Sequence, residues 1–137
     1  MTQGNPKASE GWLVSSSFEG RIDTKNVDYR QSIRDVTLYG LDATGNGSYT
    51  GIQINFPVTI KTGLHPLPHE SIPVIRVSYF RQAADGLRTS YPAESGELFL
   101  TTWDDPNAIA EGKFRFKTTV DGSEHEFDGS FSIGWVK

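Results

Sequence analysis

The chain predicts an all-β fold: a single antiparallel β-sandwich or flattened β-barrel of about seven to eight strands. Three observations predict it. Apolar and polar residues alternate over strand-length runs, and no segment repeats apolar residues at helical period over a helical length. The 137 residues include 14 glycines and 12% aromatics, a composition suited to many turns between strands. Finally, Asp121-Gly122 separates two alternating runs, and Asp-Gly is a strong hairpin signal because both turn positions take positive φ.

Residues 1–10 are polar with Gly, Asn and Pro, and are expected to form a disordered tail ahead of one β domain at 11–137. The first strand is predicted over 12–22, with Trp12, Val14, Phe18 and Ile22 inward. A polar loop follows at 24–31, then a second strand at 33–41 with Val36 and Leu38 inward. A Gly45-Asn46-Gly47 loop pairs Leu38 with Ile54 and Val36 with Phe56. The third strand alternates cleanly, with Ile52, Ile54, Phe56, Val58 and Ile60 on one face. Pro57 cannot donate to a ladder, which assigns this strand to an edge or to a bulge.

Residues 62–73 read as a proline-punctuated connection that no helix crosses. The next strand is 74–80, with Ile75, Val77 and Tyr79 inward, and 81–96 is the longest irregular stretch. Residues 97–103 are apolar on both faces, as in a central strand covered on both sides. A turn at 104–110 leads into the final hairpin. Pairing outward from Asp121-Gly122 sets Val120 against Ser123, Lys117 against Glu126, Arg115 against Asp128 and Phe116 against Phe127. One face is then apolar and the other carries facing opposite charges; a slip of one residue would destroy both patterns. Trp12 and Trp135, near the two ends and in matching phase, are expected in one core. The segment from Gly112 to Phe116 with that from Asp128 to Ile133 looks like the closing hairpins of many small bacterial β-proteins, which implies no activity.

A formal net charge of −4 without a clustered basic face argues against nucleic-acid binding. The absence of cysteine excludes disulfides, thiolate metal sites and cysteine nucleophiles. No run approaches the ~20 apolar residues of a membrane span. The N-terminal residues show no apolar stretch behind a basic segment, so no signal peptide is expected and a cytoplasmic location is the default.

His65, His69 and Glu70 are the nearest approach to a metal site, but two intervening prolines forbid the helix that would aim both imidazoles at one ion. Asp104, Asp105 and Asn107 offer clustered oxygens for calcium, yet Asp-Asp-Pro-Asn is equally good turn chemistry. No serine sits in a nucleophile elbow, and His125, opposite Thr118, reads as a half-buried histidine bonded to that hydroxyl rather than a general base. The chain is therefore expected to be non-catalytic, with no cofactor. Its most coherent binding surface is Trp103 beside Asp104 and Asp105, with Tyr91 and Arg88 from the 81–96 stretch and with the 62–73 connection nearby. An aromatic face beside carboxylates on loops of a β scaffold suits a glycan or a protein partner. Self-association through a free sheet edge is a further expectation. The alternatives are a small barrel holding an apolar ligand or a reaction in its cavity, with His125, Tyr79 or Arg76 pointing in, and a structural homo-oligomeric subunit.

Overall fold

A computed structural model of the chain describes residues 8–68 and 74–136. The strands are β1 (Ser9–Ser15), β2 (Ile22–Thr24), β3 (Val27–Gln31), β4 (Asp35–Ala43), β5 (Tyr49–Pro57), β6 (Gly63–Leu67), β7 (Arg76–Gln82), β8 (Arg88–Pro92), β9 (Ser95–Asp104), β10 (Ile109–Val120) and β11 (Ser123–Trp135). They form two antiparallel sheets, one of six strands in the order β2-β1-β11-β10-β9-β6 and one of five in the order β3-β4-β5-β7-β8. The fold is all-β, and the two sheets face each other as a sandwich over one apolar core. No helix among the described residues is long and apolar enough to cross a membrane.

Where turn chemistry and alternation agree, the structure follows the sequence closely. The β10–β11 ladder runs in the register set by Asp121-Gly122, with Val120 opposite Ser123, Phe116 opposite Phe127 and Arg115 opposite Asp128. Asp121 and Gly122 sit at φ 54° and 84°, as a two-residue turn of this hand requires. In the β4–β5 hairpin, Leu38 faces Ile54 and Val36 faces Phe56, and all four are fully buried.

Four expectations are corrected. First, the run 12–22 is two strands, β1 and β2, split by a turn, and β1 has the opposite phase. Directly paired residues share a face, so the buried Phe131 and Ile133 of β11 draw Leu13 and Gly11 inward and turn Trp12 outward, 42% exposed. The two terminal tryptophans therefore part company: Trp135 packs against the core and Trp12 does not. β1 also begins at Ser9, inside the stretch expected as tail, of which residues 1–7 lie outside the described residues.

Second, the expected loops at 24–31, 62–73 and 81–96 contain β3, β6 and β8. Ile33, placed in a strand by the sequence, lies in a turn and is 92% exposed. Third, β5 is a central strand rather than an edge. Pro57 is its last residue, paired with Asp35 of β4 but past Asn55, where the β7 ladder ends, so its missing N–H costs that ladder nothing. Fourth, among the described residues no second layer covers the outer face of β9. Its two apolar faces arise from a bulge opposite Glu111 and Gly112, which skips Thr101 and brings the odd-numbered Trp103 onto the same side as Leu98 and Leu100.

Candidate functional site

The residues expected to form a binding surface fall in three separate places. Trp103 lies at the end of β9, half-buried, with its ring centroid 5.5 Å from Phe56 and 6.3 Å from Tyr29. Its Nε1–H donates to the Val58 carbonyl at 3.0 Å, so both the ring and its polar atom serve the core. The Asp104 carboxylate closes its own turn, accepting from the Asn107 N–H at 3.2 Å and from Asn107 Nδ2 at 2.6 Å. Asp105 accepts from Gln31 Nε2 at 2.7 Å, tying this turn to the other sheet. Arg88 and Tyr91 sit on β8 with opposite phase. Arg88 lies 4.1 Å over the Phe80 ring and 5.1 Å over Tyr39, and donates to Gln82 Oε1 at 2.8 Å. Tyr91 points the other way and stacks on Tyr79 at 6.1 Å.

The remaining candidates are equally dispersed. His65 Nε2 lies 2.7 Å from the Lys61 carbonyl, while His69 and Glu70 are outside the described residues. Among the described residues no three His, Asp or Glu side chains gather as metal ligands do. The Thr118 hydroxyl donates to the Pro92 carbonyl at 2.8 Å, and not to His125 as expected. His125 instead stacks face to face on Phe18 with centroids 3.6 Å apart. Tyr79 is fully buried in the core, and Arg76 is exposed.

Two constellations do converge. The first lies at the end of the sandwich that holds the Asp121-Gly122 turn. Glu19, in the turn between β1 and β2, accepts from Arg81 Nε at 2.8 Å and from Arg81 Nη2 at 2.6 Å, and it also accepts the Tyr79 hydroxyl. Arg81 reaches on to Asp121 at 3.1 and 2.9 Å. The Arg81 hydrogen bonds hold the Glu19 carboxyl below its ordinary range against the opposing effect of burial. Burial, and then the bond to Glu19, push the Tyr79 hydroxyl far above its usual value. Arg81 thus clamps three segments together, and Phe18 lays its ring on His125 beside it. Every polar group of this cluster is committed to another, which is the make-up of a structural pin.

The second constellation is the outer face of the six-stranded sheet. One cross-strand row runs Leu64, Phe99, Lys113, Ser130, Val14 from β6 to β1. The adjacent row holds Glu111, Ser132 and Trp12. The small side chains of Ser130 and Ser132 leave β11 as a floor between larger neighbours. Two depressions of ≈ 490 and ≈ 360 Å³ adjoin here, sharing Phe99 and Lys113. Leu64 borders one of them, 61% exposed, and Trp12 borders the other. Polar groups line the same trough: Lys113 Nζ 5.5 Å over the Phe99 ring, Arg115 3.4 Å from Asp128, and Glu111 accepting from Ser132 Oγ at 2.9 Å.

The sequence held this surface in plain view. Trp12 and Phe99 are large apolar residues at the solvent phase of their strands, but local alternation gives β1 the opposite phase, which puts Trp12 in the core, and the apolar run around Phe99 implies a cover that the fold does not supply among the described residues. Comparison with protein-family models, with curated proteins and with solved structures finds no match, so the geometry of this chain alone carries the functional reading.

Proposed function

We propose that the protein is a non-catalytic binding module that takes a glycan chain across the outer face of its six-stranded sheet. The observation that carries this reading is the trough itself, with exposed Trp12 and half-buried Phe99 bordering a floor of serines. A sugar ring has an apolar C–H face, which suits an aromatic side chain, and a rim of hydroxyls, which suits alternating donors and acceptors. Lys113 and Arg115 supply donors here, and Glu97, Glu111 and Asp128 supply acceptors. An extended ligand fits the two adjoining depressions better than a compact one. Two of the trough's three carboxylates, Glu111 and Asp128, are engaged by Ser132 and Arg115, which supports binding over catalysis. The loop-end site at Trp103 is less favoured, because its aromatic and carboxylate groups serve the core and the turn.

The test is titration of the protein with a panel of soluble neutral and uronic-acid oligosaccharides, read by tryptophan fluorescence and calorimetry. A saturable signal is expected with at least one glycan, abolished in Trp12→Ala, weakened at least tenfold in Phe99→Ala and retained in Trp103→Phe. A glycan signal that survives Trp12→Ala and Phe99→Ala overturns the site, and no signal with any glycan overturns the ligand class.

A further inference from the structure

We propose that the free edge of β8 pairs antiparallel with β8 of a second copy of the chain, centred on Ser90, so that two five-stranded sheets become one continuous sheet. Sandwiches have edges, and the unpaired N–H and C=O groups of an edge strand are a template for another strand.

The β3 edge is closed from within. The outward N–H of Tyr29 donates to Ser9 Oγ at 2.8 Å, and the Tyr29 carbonyl accepts the Trp135 indole N–H at 2.9 Å. The β2 edge is three residues long, and its Asp23 N–H is taken by Asp42 Oδ2 at 2.8 Å. The β6–β9 ladder runs unbroken from Gly63 to Leu67, which places the nitrogen of Pro66 on the outer side, where it has no hydrogen to give. Leu64 is then the one outward donor of β6.

The β8 edge differs. Ala83 N–H bonds to the Leu87 carbonyl and Ala93 N–H to the Val77 carbonyl, so in this ladder the odd-numbered residues of β8 bond to β7. The even-numbered Arg88, Ser90 and Pro92 turn their main-chain groups away from β7, and the Pro92 carbonyl takes the Thr118 hydroxyl of β10. Among the described residues the N–H groups of Arg88 and Ser90 meet no partner, and Ser90 and Pro92 are exposed.

This edge is complementary to itself. With Ser90 opposite Ser90 of a second copy, each Ser90 N–H meets the other Ser90 carbonyl. Each Arg88 N–H then meets the carbonyl of Pro92 across from it, which already accepts the Thr118 hydroxyl at 2.8 Å and has a second lone pair to offer. Pro92, which has no N–H, is asked only to accept. Like charges do not face each other, because each Arg88 lies opposite a proline and the two guanidinium-bearing residues are ~13 Å apart along the strands at a rise of about 3.3 Å per residue. The Arg88 side chain is also drawn back over its own sheet by Phe80, Gln82 and Gln53, which clears the edge that an exposed arginine would otherwise guard. The glycan trough lies on the other sheet, so this pairing leaves it open in both copies.

Sedimentation equilibrium from micromolar to millimolar concentration tests the proposal, with an apparent mass rising from 15.2 kDa toward twice that value as the expected result. Ser90→Pro removes the central donor and should hold the mass at the monomer across the range, with circular dichroism reporting that the fold persists. A second variant leaves the backbone intact. The chain has no cysteine, so Ser90→Cys introduces a single thiol whose Cα should lie ~5.5 Å from its counterpart in a hydrogen-bonded pair. A short bis-methanethiosulfonate reagent should crosslink Ser90→Cys into a dimer and leave Ala84→Cys, in the β7–β8 turn, uncrosslinked. A wild-type mass constant at the monomer, a dimer unaffected by Ser90→Pro, or equal crosslinking at both thiols each overturns the proposal.

Discussion

At the scale of single residues, what decides the role of each polar side chain is whether its groups are already committed. Glu19 is the clearest case. Its carboxylate takes two hydrogen bonds from Arg81 and one from Tyr79, with side chains 26% and 31% exposed for Glu19 and Arg81. Hydrogen bonds to charged groups contribute more than neutral ones, and partial exposure discounts them, so Glu19→Gln is expected to cost about 1–2 kcal/mol at neutral pH. The pH dependence has a definite sign. The folded carboxyl is held below its ordinary value of 4.5, so its stabilisation is fully present above that pH and is lost as the pH falls through the lower folded value. Urea denaturation of wild type and Glu19→Gln should show a constant gap above pH 5 that closes below 4.5; a gap unchanged down to pH 3 would disprove the ionic account. The bond to Arg81 was not legible in the sequence, because 62 residues separate the partners and no local pattern joins them. The inward or outward phase of Trp12 is not legible for a different reason: phase is inherited from the strand it pairs with, and only the pairing of Leu13 with Phe131 fixes it.

Strands became legible in proportion to how strongly their own residues dictate a register. The β10–β11 and β4–β5 hairpins each combine a turn of restricted backbone with several large residues on one face, and both registers could be written down from the sequence. β6 and β8 are five-residue strands with the sequences GLHPL and RTSYP, where proline and polar residues erase the alternation. They exist because neighbouring strands hold them, a tertiary cause invisible to a local window. The same dependence on neighbours appears at Gly51 of β5. Gly51 is opposite Phe80 of β7, on the outer face, and a Cβ built there would lie 2.3 Å from Phe80 Cζ and 2.2 Å from the Gly40 carbonyl oxygen. The glycine lets the Phe80 ring lie against the sheet, fully buried beneath Arg88. Gly51→Ala must displace a backbone oxygen as well as the ring, so it is expected to destabilise by about 3 kcal/mol or more. Equilibrium urea unfolding measures it; a loss below 1 kcal/mol would mean that β4 and β7 shift apart freely at this point.

Across the whole molecule the two sides of the sandwich are unequal. On one side β1 and β11 reach over to β3. Ser9 and Trp135 take both outward main-chain groups of Tyr29, and Thr24 Oγ1 donates to the Leu41 carbonyl at 2.6 Å, so the sheets are joined by hydrogen bonds as well as by apolar contact. On the other side β6 and β8 end their sheets without such bridges to each other among the described residues. The Thr118 hydroxyl of β10 bonds to the last residue of β8, Pro92, and the chain crosses there through Ala93 and Glu94, bonded to Val77 and Lys117, while the Arg88 and Ser90 N–H groups stay open among the described residues. Closed edges resist both local opening and strand addition, and open ones permit both. The joined side should therefore exchange its amide hydrogens only through large openings, with Tyr29 among the slowest of the edge-strand amides. Ser9→Ala with Trp135→Phe removes the two bonds at Tyr29 while keeping most of the apolar volume. It should speed exchange of the Tyr29 amide at least tenfold more than that of the β10–β11 hairpin amides, which are accelerated only by the global loss of stability, about 1–3 kcal/mol for two part-buried hydrogen bonds. Hydrogen exchange followed residue by residue separates these outcomes. Uniform acceleration across both sheets would show that the bonds at Tyr29 stabilise the molecule as a whole without sealing its edge, and the asymmetry that leaves β8 as the open edge would then need another cause.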